Sequence, residues 1–423
     1  MNETINKLKN IDKTEYGWCK SKLFGESNLT LDKEGIENKK LDIFYMIRKS
    51  NIPNAPFMVF FNGGPGVGFT NTFLNHLENK NFFPNLNVVC IDQRGTGFSS
   101  KASTLEELKY YSARYISYDV EQIRKKVLGK NGKWIVFGES YGGHIVRKYM
   151  ELYPSYVLTA ISHGYGECSP ITMKVNIKIQ THKLINSYFK KYPKDLVKIK
   201  KLKSKLNKSH SISTDKKKVS GTYLLDALAY IFGPYSEEQI HNLINNLDND
   251  NLVNDYIKSS EDFIKILLNA SDSKLNSVVS YIDLLEGLSD DKLNKMVKKK
   301  QKKMNYNFDE SLISKDRFNK GIKNVKDNDN NLDKLINNDY FKADLIDFKK
   351  LIKNLEKNKV TLYIFASKDD SMTPIEAIKE EKKTIEKLNG SKFYNFHFVN
   401  GGHGEWLHNN DKLFSDIIKS YLN

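Results

Sequence analysis

Only three cysteines, Cys19, Cys90 and Cys168, occur in the 423 residues. They are too few and too scattered for a disulfide framework, and no two form a C-x-x-C metal pair. That usage fits a reducing compartment. No hydrophobic stretch reaches the length of a bilayer-spanning helix, and the polar, charged segment from Met1 to Asn10 lacks the apolar region of a secretory signal. A cytoplasmic protein without membrane association is expected. The chain also lacks an internal repeat and any helix-turn-helix, finger or aromatic-basic RNA signature, although its net charge of +16 raises the question of an anionic partner. Much of that excess comes from lysine runs at Lys198 to Lys208, Lys216 to Lys218 and Lys298 to Lys303, in a chain also crowded with asparagine. These read as solvated helix faces, and no nucleic-acid partner is expected.

Hydrophobic residues make up 39% of the chain, enough for a sizeable core, and the length exceeds the usual single-domain size. Leu41 to Ile47 reads as a strand, and Phe57 to Phe61 is a continuous apolar run of the kind buried on both faces, ending in Asn62-Gly63-Gly64-Pro65-Gly66. Thr70 to Asn79 can form a helix. Leu86 to Ile91 is another buried strand, ending in Asp92-Gln93-Arg94-Gly95-Thr96-Gly97-Phe98-Ser99, and Leu105 to Leu128 carries helical periodicity. Val157 to Ser162 is a further strand. From about Tyr165 to Lys349 the pattern changes to long, polar, Lys/Asn-rich amphipathic stretches, with helix-like blocks at Tyr223 to Phe232 and Glu238 to Leu247 and a loop at Asn324 to Asn331. Strand and helix then alternate again: Val360 to Phe365, Pro374 to Leu388, Phe393 to Val399 and Asp411 to Leu422. Short strands alternating with helices, each strand ending in a Gly-rich loop, predict a mostly parallel α/β sheet with its site at the strands' C-terminal ends. The expected division is a core in two parts, 1–164 and 350–423, interrupted by a helical cap insertion at 165–349.

The stretch around which the rest is organised is Trp134-Ile135-Val136-Phe137-Gly138-Glu139-Ser140-Tyr141-Gly142-Gly143. Four apolar residues form a buried strand, and Gly138 to Gly142 then fits G-x-S-x-G, the sharp strand-to-helix turn that lifts a serine hydroxyl above a sheet. The turn is tight enough that residues two positions from the serine must lack bulk, hence the two glycines. Ile145, Val146, Tyr149, Met150 and Tyr153 recur at helical spacing until Pro154 ends the run. The N-terminus of that helix is aimed at Ser140, where free N–H groups and the positive dipole end favour an oxyanion.

A serine hydroxyl needs a base, and the base needs an orienting group. Among the nine histidines, His76, His182 and His241 fall in amphipathic or polar helices and His397 inside a strand. His403 instead sits in Asn400-Gly401-Gly402-His403-Gly404, a flexible loop past the last strand; His408 is the weaker competitor. The loop after Val360 to Phe365 offers two adjacent carboxylates. Asp370 is preferred over Asp369 because its spacing to Pro374 matches an acid-x-x-x-Pro arrangement in which proline opens the next helix. The order Ser140, Asp370, His403 is that of the α/β-hydrolase fold. Oxyanion donors are expected from the Tyr141 N–H and from the Asn62 to Gly66 loop, at Gly64 with Gly63 second.

At these residues a family resemblance enters. Asn62 to Gly66 resembles the HGGPG or QGGPG loop of proline iminopeptidases, and Asp92 to Ser99, DQRGTGFS, is close to their D-Q-R-G-x-G-x-S motif. Tyr118 to Arg124 is similar to the helix segment before their elbow. The resemblance covers about Asp42 to Tyr153 and again Val360 to Gly404; the insertion shows nothing to match. Two departures stand out: Asn62 replaces the loop histidine, and the elbow reads GESYGG followed by His144. The set NGGPG, GTGFS and GESY-x-GH is also similar to serine carboxypeptidases, in which the loop asparagine and the glutamate before the nucleophile help bind a C-terminal carboxylate. Those positions are Asn62 and Glu139, and an amide N–H or a carboxyl kept protonated by burial can each donate to a carboxylate. The structural alternative for Glu139 is a side chain that satisfies nearby backbone donors. DQRG is absent from the carboxypeptidase pattern.

An aminopeptidase needs carboxylates to pair with the substrate's α-amine. Glu167, Glu237 and Glu238 are possible sources, and spacing selects none of them. Arg94 is expected to fix its loop by pairing with Asp92 or backbone carbonyls. The resemblance therefore implies a serine exopeptidase similar to proline iminopeptidase, acting on a short peptide or small acyl substrate. Carboxypeptidase-like and esterase or amidase activities are the alternatives, and a non-catalytic binder on this scaffold is a third. No metal or organic cofactor is implied.

Overall fold

The continuous apolar runs became the centre of an eight-stranded sheet. In the structure, a computed structural model, its strands are β1 (Thr14–Lys22), β2 (Lys40–Arg48), β3 (Phe57–Phe61), β4 (Asn87–Ile91), β5 (Trp134–Glu139), β6 (Val157–His163), β7 (Leu362–Ser367) and β8 (Tyr394–Val399). The structure describes residues 2–25, 39–72, 74, 77, 82–209, 237–245, 273–284, 295, 299–300, 303, 342–403 and 412–422. The expected block Tyr223 to Phe232, the Asn324 to Asn331 loop, His76 and His408 lie outside those residues. Strand order is β1-β2-β4-β3-β5-β6-β7-β8. Only β2 runs against its neighbours; from β4 across to β8 every pairing is parallel.

Successive residues of a strand face opposite sides, so each continuous run feeds two cores. Val59, Phe61, Val89, Ile91 and Val136 pack with Ile123, Ile145, Val146 and Tyr149 of the helices on one side. Met58, Phe60, Val88, Cys90, Ile135 and Phe137 pack with Phe69, Phe414 and Ile417 on the other. The parallel register then brings strand ends together: Gly138 lies beside Ser162, and Ser162 beside Ile364. Every loop that follows β3, β5, β6, β7 and β8 therefore emerges at one edge.

Between β6 and the helix Phe348–Asn358 the described elements are all helices: Pro170–Lys191, Pro193–Ser209, Glu237–Asn245 and Ser273–Leu284. The first is started by Ser169, whose hydroxyl accepts from Thr172 N–H, with Pro170 in the first turn. Among the described residues no helix is long and apolar enough to cross a membrane.

Four elements differ from expectation. The helix Asn2–Asn10 and strand β1 were not anticipated; β1 reads TEYGWCKSK, an edge strand without an apolar run. The expected helix from Leu105 to Leu128 is broken into a short 3-10 turn, Glu106–Tyr110, and a helix, Ala113–Leu128. The break sits at Ser112, which is extended (φ −74°, ψ 173°), and the Ala113 N–H is taken up by the Asp283 carboxylate at 2.9 Å. Finally β7 begins at Leu362 rather than Val360, because Lys359 is left-handed (φ 54°) and Val360 N–H still bonds the Leu355 carbonyl of the preceding helix.

Candidate active site

Ser140 joins β5 to the helix Tyr141–Leu152 with φ 55° and ψ −130°, a conformation unusual for any residue with a side chain. Two backbone bonds over-determine it: Ser140 N–H to the His163 carbonyl at 2.9 Å, and Gly143 N–H to the Ser140 carbonyl at 2.7 Å. The flanking glycines have a steric reason. A Cβ on Gly138 would overlap the Gly142 carbonyl, and one on Gly142 would overlap the Phe61 carbonyl of β3.

Past β7, Asp370 Oδ2 lies 2.8 Å from His403 Nδ1. Its other oxygen accepts Met372 N–H at 2.8 Å and Thr373 N–H at 2.7 Å, so the carboxylate is clamped by its own turn. Asp370 is buried while the adjacent Asp369 is exposed. The His403 loop is tied to the Asp370 loop through Lys368 N–H to the Val399 carbonyl and Asp369 N–H to the Gly401 carbonyl. Burial alone would lower the His403 pKa, but the Asp370 charge and hydrogen bond outweigh it and hold it above the ordinary imidazole value. With Nδ1 engaged, Nε2 is the nitrogen left for proton transfer.

The loop after β3 comes against Ser140 at Gly63, where a Cβ would stand 2.8 Å from Ser140 Cβ and 3.2 Å from Ser140 Oγ. Gly64 is left-handed (φ 140°), and a Cβ there would meet its own loop at Gly66 N and Val67 N. Asn62 Nδ2 donates to the Gly63 and Val67 carbonyls at 2.9 and 2.8 Å. Both amide donors expected for a substrate carboxylate are therefore spent on the loop itself, and the buried Oδ1 has no hydrogen-bond partner among the described residues. The second Gly-rich loop acts as a buttress: Gln93 donates to the Asn62 carbonyl at 3.1 Å, and Asp92 accepts from Thr70 N–H, Thr70 Oγ1 and Phe98 N–H. Arg94 does bond carbonyls, those of Leu23 and Tyr110, but its ionic partner is Asp119 at 2.5 Å, not Asp92. Asp92 is already saturated by its own neighbours, which leaves the guanidinium to the acid on the following helix.

Glu139 is buried beside these groups, and burial pushes its pKa up to about 7; His403 pulls it down and Asp370 adds to the rise. Its Oε1 is 3.9 Å from His163 Nδ1, too far for a hydrogen bond. His163 itself is kept neutral by burial, with a pKa of about 3. Glu167 is engaged with His144, Oε1 to Nδ1 at 2.6 Å. Burial would raise its pKa, but the His144 charge and hydrogen bond hold it low, and His144 in turn is raised. Glu237 pairs with Lys191 at 2.6 Å on an exposed surface, and Glu238 is exposed. Sequence reasoning did not find Asp283, which reaches Tyr141 and Ala113 from the helix Ser273–Leu284, between β6 and β7 in the chain. It falls in a segment without any motif, so no signal marked it. Among the described residues no group of three or more His, Cys, Asp or Glu side chains is arranged to hold a metal ion.

A mostly parallel eight-stranded sheet with Ser140, Asp370 and His403 at the ends of β5, β7 and β8 is the α/β-hydrolase fold, and residues 56–207 match the alpha/beta hydrolase fold family. Within that fold the chain resembles proline iminopeptidases. It is 26% identical over 223 residues to proline iminopeptidase aneH of Aspergillus aculeatus, covering 47% of this chain and 48% of that protein. It is 32% identical over 124 residues to the proline iminopeptidase of Neisseria gonorrhoeae, covering 29% and 36%. These matches thus span less than half the length of either relative. Among solved structures, an alpha/beta hydrolase enzyme from a Medee basin deep-sea metagenome library superposes with a TM-score of 0.43 at 14% identity, covering 90% of this chain and 94% of that one.

Proposed function

We propose that the chain is a serine exopeptidase of proline iminopeptidase type, releasing an N-terminal residue from short peptides through an acyl-enzyme. The observation that carries this reading is the Asp370–His403 hydrogen bond at the sheet edge where the elbow presents Ser140. Ser140 Oγ attacks the carbonyl of the first residue while His403 Nε2 takes its proton, and Asp370 fixes the imidazole's tautomer and supports its positive charge. The developing oxyanion is held by the Tyr141 N–H and by the loop, at Gly64 with Gly63 second. His403 then protonates the departing amine, and water, activated by the same imidazole, hydrolyses the acyl-enzyme. Residues 165–349 act as a cap that admits only a chain end or a small substrate, between core segments 1–164 and 350–423.

Glu139 favours a second reading. A buried carboxyl titrating near 7 is largely protonated in mildly acidic solution and can donate to a substrate carboxylate, which would make the enzyme carboxypeptidase-like. The occupied amide of Asn62 weighs against a two-residue carboxylate site. Glu167 already has one carboxylate oxygen, Oε1, on His144, and an α-amine would pair with it in that setting.

Matched short peptides, free at both ends, blocked at the N-terminus or amidated at the C-terminus, separate the readings. Loss of cleavage on N-terminal blocking is the expected result. Loss on C-terminal amidation instead assigns Glu139 a carboxylate, and turnover of simple esters alone assigns an esterase or amidase. Ser140→Ala is expected to reduce kcat on the order of 10⁶-fold. Hydrolysis unaffected by that change would falsify the nucleophile assignment.

A further inference from the structure

We propose that Asp283, carried on the inserted helix Ser273–Leu284, is a positioning residue for the oxyanion donor at Tyr141. The inference rests on the hydrolase reading above. Tyr141 directly follows Ser140 and opens the helix Tyr141–Leu152, so its N–H has no intrahelical acceptor. Its side chain is 2% exposed, and its hydroxyl donates to Asp283 Oδ2 at 2.6 Å. The same oxygen accepts the N–H of Ala113 at 2.9 Å. One carboxylate oxygen from the insertion thereby ties together the starts of two core helices, one of them at the nucleophile.

The ring of Tyr141 is held on its face as well. The His144 imidazole stacks against it, with centroids 5.9 Å apart and planes 16° apart. His144 Nε2 lies 3.9 Å from Asp283 Oδ1, while Nδ1 is bonded to Glu167 at 2.6 Å. Asp283 Oδ1 and His144 Nε2 are both buried and have no hydrogen-bond partner among the described residues, and they face each other across that 3.9 Å gap. Glu167 and Asp283 both come from the chain after β6. Tyr141 is thus gripped at hydroxyl and ring by groups that depend on how the insertion is seated.

That seating is itself firm. Leu275, at the start of Asp283's helix, packs against Gly95 of the second Gly-rich loop. At the other end the Ile282 carbonyl accepts Asp344 N–H at 2.8 Å, and Asp344 takes a bidentate pair from Arg114 at 2.5 and 2.8 Å and a bond from Lys148 at 3.2 Å. An oxyanion donor works only within about 2.7–3.1 Å of the developing charge. A helix-opening residue whose side chain is fixed at both ends cannot drift by the fractions of an ångström that would lose that contact. When the insertion is not seated, Ser140 keeps its base but loses the support of one donor.

The test measures kcat and KM with p-nitrophenyl acetate, and the rate at which a fluorophosphonate phosphonylates Ser140 with loss of fluoride. Wild type is compared with Ser140→Ala, Tyr141→Phe, Asp283→Asn, Asp283→Ala and the double variant Tyr141→Phe/Asp283→Ala. Tyr141→Phe and Asp283→Ala are each expected to lower kcat and labelling rate by about 10–10²-fold with KM little changed. The double variant should be no worse than either single one, and Asp283→Asn, whose amide oxygen still accepts both donors, should recover most of the loss seen with alanine. If Asp283→Ala does not fold, Tyr141→Phe and Asp283→Asn, which remove one hydroxyl and one charge, carry the test. Tyr141→Phe at the wild-type rate, or losses that multiply in the double variant, overturn the positioning role alone. Wild type without any Ser140-dependent turnover or labelling overturns the hydrolase reading and this role with it.

Discussion

Immediately before Ser140, burial pushes the Glu139 carboxyl up to about 7 within the field of His403, so two protons at one site are coupled. Ionised Glu139 favours the imidazolium and raises the pKa of His403, and a general base must be unprotonated to work. Asp370 raises that pKa more, by charge and hydrogen bond, and the acid limb of kcat/KM is expected above the ordinary imidazole pKa. Glu139→Gln removes the charge that favours the cation, so His403 deprotonates at lower pH and the limb moves to lower pH. A pH–rate profile of that variant checks it, and a limb that stays in place or moves upward contradicts the assignment. At this scale the sequence was informative where a type was required and silent where a direction was. It offered Asp369 and Asp370 side by side; only the turn, with Met372 and Thr373 N–H groups on one oxygen, aims Asp370 at His403. It offered Asn62 as a substrate ligand, and the fold spends that amide on its own loop.

The elbow is the element that holds the candidate site, and Gly138 and Gly142 answer first to backbone carbonyls. The atom that a Cβ on Gly142 would overlap is the Phe61 carbonyl of a central strand, which cannot swing aside as a side chain does. Gly142→Ala is expected to destabilise the protein by about 1–3 kcal/mol through overpacking, and to slow fluorophosphonate labelling of Ser140 because β3 and the helix must part. Denaturant titration and labelling rate measure the two effects. Element identity was largely legible: continuous apolar runs gave the buried strands, and 3.6-residue spacing gave the helices. Boundaries set by partners distant in sequence were not. The interruption at Tyr111 and Ser112 goes with a carboxylate 170 residues further along the chain, and local periodicity carries no trace of it.

Across the whole molecule, the chain segments before and after the helices that separate β6 from β7 are bound by a buried ionic cluster. Arg147, on the helix behind the elbow, pairs with Glu381 of the helix Ile375–Lys387 at 2.8 Å, and both side chains are fully buried. The guanidinium also bonds the Gly143 carbonyl, Ser162 Oγ and the Tyr165 carbonyl, while Glu381 accepts from Tyr394 of β8 and from Glu167 N–H. Glu381→Ala leaves a buried cation uncompensated and is expected to cost about 3–5 kcal/mol, read from equilibrium denaturation. A loss under about 1 kcal/mol would mean that the segments are held by apolar packing alone. The sequence by itself determined the parallel sheet, the elbow and the order Ser140, Asp370, His403, because strand burial, turn sterics and helix periodicity are local demands that each residue run meets on its own. Only the tertiary structure decided which of two aspartates faces the histidine, that Glu167 is bonded to His144, and that Asp283 of the helix Ser273–Leu284 grips Tyr141. Those are contacts between side chains far apart in sequence, fixed by how the elements pack and by which buried polar groups must find one another.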